Sequence, residues 1–72
     1  MTNAQVRAAR ALLGWTAKQL AAKVGVHRNT ISNIEVGRYA PPETMQAIKH
    51  VLQQAGVEFT NGRRPGVRLK RI

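Results

Sequence analysis

Residues 14 to 37 read GWTAKQLAAKVGVHRNTISNIEVG, and the fold turns on this stretch. Leu20, Val24, Val26, Ile31 and Ile34 are apolar at helical spacing, interrupted once by Gly25. Two helices that meet at a steep angle need a small side chain where their axes cross, and Ala21 supplies it. The tight turn between them needs a residue at ease at positive φ, and Gly25 supplies that. Val26 then plugs the corner, while Ile31 and Ile34 hold the second helix on the core. The remaining face of that helix points outward and carries Arg28, Asn29, Ser32 and Asn33. A merely solvated helix mixes Glu and Lys; this face has neither.

The same periodicity extends in both directions. Upstream, Asn3 reads as an N-cap, and Val6, Ala9, Leu12 and Leu13 form a helical stripe from Ala4 to Leu13, closed by Gly14. Thr16 caps the first helix of the pair, Ala17 to Val24. His27 or Arg28 opens the second, which runs to Val36 and is closed by Gly37. Pro41 and Pro42 suit the start of a fourth helix, and Glu43 favours the positive end of its dipole. That helix runs to about Gln54 with Met45, Ile48, Val51, Leu52 and Ala55 inward. After Gly56 the period changes to two. Val57 to Thr60 and Val67 to Lys70 alternate, with Asn61-Gly62 and Pro65-Gly66 as turn signals between them. A two-stranded ribbon cannot hold itself in water, so Phe59 and Leu69 are expected to bury against the helices or a second chain. The expected fold is mainly α: four to five helices over residues 1–56, then a short basic β-ribbon over 57–72.

Charge narrows the partner. Twelve Lys and Arg stand against three Glu, a net charge of +9. Five of the basic residues, Arg63, Arg64, Arg68, Lys70 and Arg71, fall in the last twelve positions, which hold no acid. Such a balance suits a polyanion. With no Cys, no Asp and two distant His, the chain offers no thiolate metal site, no acid/base pair and no nucleophile triad. No metal, cofactor or small-molecule effector is expected. Residues 62 to 66 lack the follow-on of a phosphate-binding P-loop. No apolar run approaches the roughly 20 residues of a membrane span, and Arg7 and Arg10 interrupt any signal-like segment. The expected location is cytoplasmic, at the nucleoid.

The spacing over residues 17–36 is the helix-turn-helix pattern. The stretch from Gly14 to Gly37, and its closing Asn33-Ile34-Glu35-Val36-Gly37 above all, resembles the lambda and P22 phage-repressor-like regulators, the XRE family. The resemblance covers about residues 4 to 56. It implies a bacterial or phage-type transcription regulator, a repressor or activator, that binds double-stranded DNA as a homodimer and is not an enzyme. It also implies that the start of the recognition helix meets bases: His27, Arg28 and Asn29, then Ser32 and Asn33. Arg28 can fork onto guanine, and Asn29 or Asn33 onto adenine. His27 has two readings, base contact or simple N-cap. Thr16, Lys18 and Arg38 flank the groove as phosphate contacts, and Arg63 and Arg64 of the basic ribbon add to them. The sequence departs from the family at Ala17, where relatives often place a Gln that contacts phosphate and braces the recognition helix.

Glu35 sits near a helix C-terminus, where the dipole disfavours an acid, so it needs a cation. Arg10 is the expected partner in a structural ion pair. Trp15 reads as a partly buried strut between the first two helices. The rival reading is a helix-turn-helix module that binds a protein partner, in the manner of an antiactivator or antitoxin. Such modules tend to lose the basic face that this chain keeps.

Overall fold

The computed structural model describes residues 1–60 and 63–70. Four helices come first: α1 (Asn3–Leu13), α2 (Ala17–Val24), α3 (Arg28–Glu35) and α4 (Pro42–Gln54). An antiparallel ribbon follows, β1 (Val57–Thr60) against β2 (Gly66–Leu69). The fold is therefore mainly α with a C-terminal ribbon, and the described residues form four helices. The expected Asn61-Gly62 turn and the basic Arg71 lie outside the described residues.

The cap of α1 is Thr2, not Asn3. Thr2 Oγ1 accepts from the Gln5 amide at 3.2 Å, and Gln5 Oε1 accepts from the Thr2 amide at 2.7 Å. This reciprocal box satisfies two donors at the helix start, which Asn3 three residues before Val6 cannot match. Asn3 instead reaches across the fold. Its Nδ2 donates to the Ile34 carbonyl at 2.8 Å and more weakly to that of Arg38 at 3.4 Å. Thr16 and Gln19 build a second box at the start of α2. Pro42 opens α4 without a side-chain cap, and Glu43 lies in its first turn.

The turn between α2 and α3 needs a left-handed residue, and Gly25 has φ 89°. This lets the Val26 amide reach back to the Ala21 carbonyl at 3.0 Å, the long bond of a Schellman ending. Gly37 does the same for α3 at φ 93°, with the Arg38 amide on the Asn33 carbonyl at 3.0 Å. Helix α3 itself ends at Glu35, one residue earlier than its apolar pattern suggested.

The core is Val6, Ala9, Leu20, Ala21, Ile31, Ile34, Ile48, Leu52 and Val57, drawn from all four helices and β1. Helices α2 and α3 make the most extensive helix–helix contact. Ala21 is 2% exposed. Ala21→Leu is therefore expected to overpack the core and destabilise the domain by about 1–3 kcal/mol. An unchanged melting temperature would show that Ala21 is not at a tight packing point.

The ribbon register pairs Val57 with Leu69 and Phe59 with Val67, so these four side chains share one face. Val57 is buried and Phe59 and Val67 are half-buried. Leu69 was expected to bury and does not: it is 47% exposed. Leu12, on the α1 stripe, is also 43% exposed. Alternation and periodicity sort side chains to faces, but they do not say how far the covering elements reach. The ribbon is tied down by Gln5, which is 3% exposed. Its Nε2 donates to the carbonyls of Thr60 at 3.0 Å and Gly66 at 2.9 Å. Every buried side-chain nitrogen or oxygen among the described residues has a partner.

Candidate nucleic-acid interface

Helix α3 presents two unlike faces. Ile31 and Ile34 are buried in the core, and Glu35 turns toward α1. Asn29, Ser32 and Asn33 are exposed on the opposite side, and Arg28 is exposed at the helix start, two turns before Glu35. Asn29, Ser32 and Asn33 fall three or four residues apart, so they line one strip of the helix. The strip continues to Val36, which is 73% exposed. Sequence reasoning left Val36 out, although its spacing of seven from Asn29 was legible. An exposed valine there offers an apolar contact of the kind a thymine methyl takes.

His27 is the N-cap of α3: its Nδ1 accepts from the Asn29 amide at 3.1 Å. An accepting Nδ1 carries no proton, so the neutral ring keeps its proton on Nε2. One ring thus caps the helix with one nitrogen and offers a donor with the other. The two readings of His27 are compatible.

His27, Arg28 and Asn29 share a groove of about 490 Å³ with Lys18, Ala21, Ala22 and Val26, between the starts of α2 and α3. Lys18 is exposed at its edge. At the start of α2, Thr16 Oγ1 takes the Gln19 amide at 3.0 Å and the Thr16 carbonyl takes that of Leu20 at 3.0 Å. The first two helical amides, of Ala17 and Lys18, are the pair that this cap does not use. They sit at the positive end of the helix dipole, where an anion is favoured.

Arg38 follows α3 directly. It is exposed, and its Nη1 lies 3.4 Å from Asn33 Oδ1, a weak bond that links a cation to a strip residue. Ala17 can brace nothing on α3, but Arg38 braces it from the other end. Tyr39, next along, is 84% exposed and was also missed. An isolated tyrosine in a loop leaves no periodic signal.

The scaffold holds α3 firmly. Arg10 forks onto Glu35, with Nε 2.8 Å from Oε2 and Nη2 2.9 Å from Oε1. Its third donor, Nη1, reaches the Trp15 carbonyl at 2.9 Å. The bond to Glu35 raises the Arg10 pKa above its ordinary value, against the opposing effect of burial, and the Glu35 charge adds to the rise. Trp15 is half-buried, with Lys23 Nζ 4.8 Å from its ring centroid. This network and the Asn3 bonds fix the carboxyl end of α3 against α1.

Arg63 and Arg64 are exposed but lie on the ribbon, away from this cluster. The structure brings His27, Arg28, Asn29, Ser32, Asn33, Thr16, Lys18 and Arg38 to the α2–α3 side and leaves these two apart. Among the described residues no helix is long and apolar enough to cross a membrane, and no three His or carboxylate side chains cluster as metal ligands.

No curated protein matches the chain. A family model, Helix-turn-helix, matches residues 6–56, which span α1 to the end of α4. By that match, and by the geometry of α2 and α3, the chain belongs to the XRE, lambda-repressor-like helix-turn-helix family, a DNA-binding regulatory family rather than a catalytic one.

Proposed function

We propose that this protein is a sequence-specific transcription regulator that lays α3 in the major groove of double-stranded DNA. The observation that carries the reading is the exposed surface of α3, where a strip of uncharged hydrogen-bonding side chains and one arginine at the helix start replace the usual Glu/Lys mixture. Arg28 pairs with guanine O6 and N7, and Asn29 and Asn33 pair with adenine N6 and N7. Ser32 and His27 Nε2–H complete the base contacts. The amides after Thr16, with Lys18 and Arg38, hold phosphates and set the register. Arg63 and Arg64 lie on the ribbon, apart from these groups, and their phosphate contacts fall outside the duplex that α3 reads. Residues 1–56 thus read sequence, while 57–72 add charge.

One short helix reads only a few base pairs, so selectivity calls for two copies on a two-fold operator. Selection of binding sites from random duplexes by the pure protein is expected to return two related half-sites with centres about 10–10.5 base pairs apart, or a multiple of that. Single, unpaired sites would speak against the homodimer. On the selected operator, Arg28→Ala and Asn33→Ala should each cost about 1–3 kcal/mol and relax preference at particular positions. Equal losses on operator and random duplexes would show that these side chains do not read sequence.

A further inference from the structure

We propose that the outer face of the C-terminal ribbon is a second nucleic-acid surface, which grips the phosphates of a duplex other than the one α3 reads. One chain then bridges two DNA segments. The inference rests on the reading of α3 given above and extends it.

The first observation is placement. Helix α1 touches α3 through Asn3 and Arg10, and touches the ribbon through Gln5. At 3.6 residues per turn, Gln5 and Arg10 point about 140° apart around the helix. The ribbon therefore lies behind α1 as seen from α3. The strip that faces DNA lies on the side of α3 away from Ile31, Ile34 and Glu35, so the ribbon is two packing layers behind it. A helix layer is about 8–10 Å deep. A duplex is stiff over about 150 base pairs, so one lying along α3 does not curl round the domain to meet the ribbon.

The second observation is charge. Alternation puts Glu58, Arg68 and Lys70 on the face opposite Val57, Phe59, Val67 and Leu69. Arg68 and Glu58 face each other and pair at 2.8 Å, which neutralises the ribbon's one acid. Lys70, and Arg63 and Arg64 in the connection between the strands, all exposed, remain as cations. None has an acidic partner among the described residues.

The third observation decides the kind of partner. Among the described residues, the outer face carries no aromatic or large aliphatic side chain. Insertion into a lipid headgroup region needs such an anchor, and a protein hot spot sets its aromatic or arginine anchors in a desolvated pocket, whereas the cations here are exposed. Spaced cations alone suffice for the phosphate backbone, without regard to sequence.

The test uses the full chain and two duplexes. A selected operator is fixed to beads, and a labelled non-operator duplex is offered in solution. The wild-type protein is expected to capture the labelled duplex on the beads. The variant Arg63→Glu/Arg64→Glu/Lys70→Glu should lose at least tenfold in capture, yet bind a short single operator with affinity within twofold and an unchanged salt slope. The charge-neutral set Arg63→Gln/Arg64→Gln/Lys70→Gln should fall between. Arg28→Ala/Asn33→Ala should lose operator preference but keep ribbon-dependent binding to random duplexes. A lower salt slope for the charge-reversed variant on one short operator would place the ribbon on the same duplex and overturn the proposal. Capture that survives the charge reversal would also overturn it, and so would release of the labelled duplex by an acidic peptide or anionic vesicles at lower charge concentration than free DNA. Operator binding without capture sinks the bridge and spares the reading of α3. Capture without operator preference does the reverse.

Discussion

Cutting the chain after Gly56 is expected to abolish cooperative folding rather than simply remove a tail. Val57 is 3% exposed and belongs to the core, while Phe59 and Val67 pack half-buried against it. Full burial of one such side chain is worth about 1.5–3 kcal/mol. The cut also strips Gln5 Nε2 of both its acceptors, at a further cost of about 1–3 kcal/mol for a buried amide left unpaired. The combined loss is about 5 kcal/mol, comparable with the whole stability of a small domain. Circular dichroism should show no sharp melting transition for the truncated chain. A cooperative melt within a few degrees of the full chain would mean that the ribbon merely rests on the surface. For this reason truncation is a poor probe of what the ribbon binds, and charge changes on its exposed cations are the better instrument.

Glu35→Ala should be the most damaging single change outside the apolar core. Removing one partner of a fully buried ion pair costs about 3–5 kcal/mol. Glu35 is 9% exposed and Arg10 21% at their side chains. Arg10 can also keep its bond to the Trp15 carbonyl. The expected loss is therefore nearer 2–3 kcal/mol, measured by denaturant unfolding. A double-mutant cycle with Arg10→Ala should give a coupling of about 1 kcal/mol or more. Operator affinity should fall with stability, because the pair anchors the end of α3 whose strip reads bases. Additive losses would show that the fork contributes nothing beyond its separate side chains.

The helix-turn-helix was legible because its constraints are local. Ala21, Gly25, Val26, Ile31 and Ile34 act within a few residues of one another, and each requirement has one suitable residue type in reach. The Arg10–Glu35 pair was legible for a different reason. An acid at the wrong end of a helix needs a cation, and α1 offers Arg7 and Arg10, of which Arg10 makes the pair. The cap of α1 was written in the sequence too, as Thr2 three residues before Gln5, but Asn3 offers a rival cap and only the hydrogen bonds decide between them. Val36 extends the strip by simple spacing and needed no structure. Other features come from tertiary packing alone. Asn3 meets Ile34 across 31 residues, and Gln5 meets Thr60 and Gly66 across 55 and 61. Neither side chain announces such a partner, since an Asn or Gln can bond to any carbonyl that packing brings near. The exposure of Leu12 and Leu69 depends on where the covering helices stop. The side of α1 on which the basic ribbon lies depends on how two faces of one helix are shared between α3 and β2. Periodicity assigns each residue a direction from its own axis; only the assembled fold says what stands in that direction.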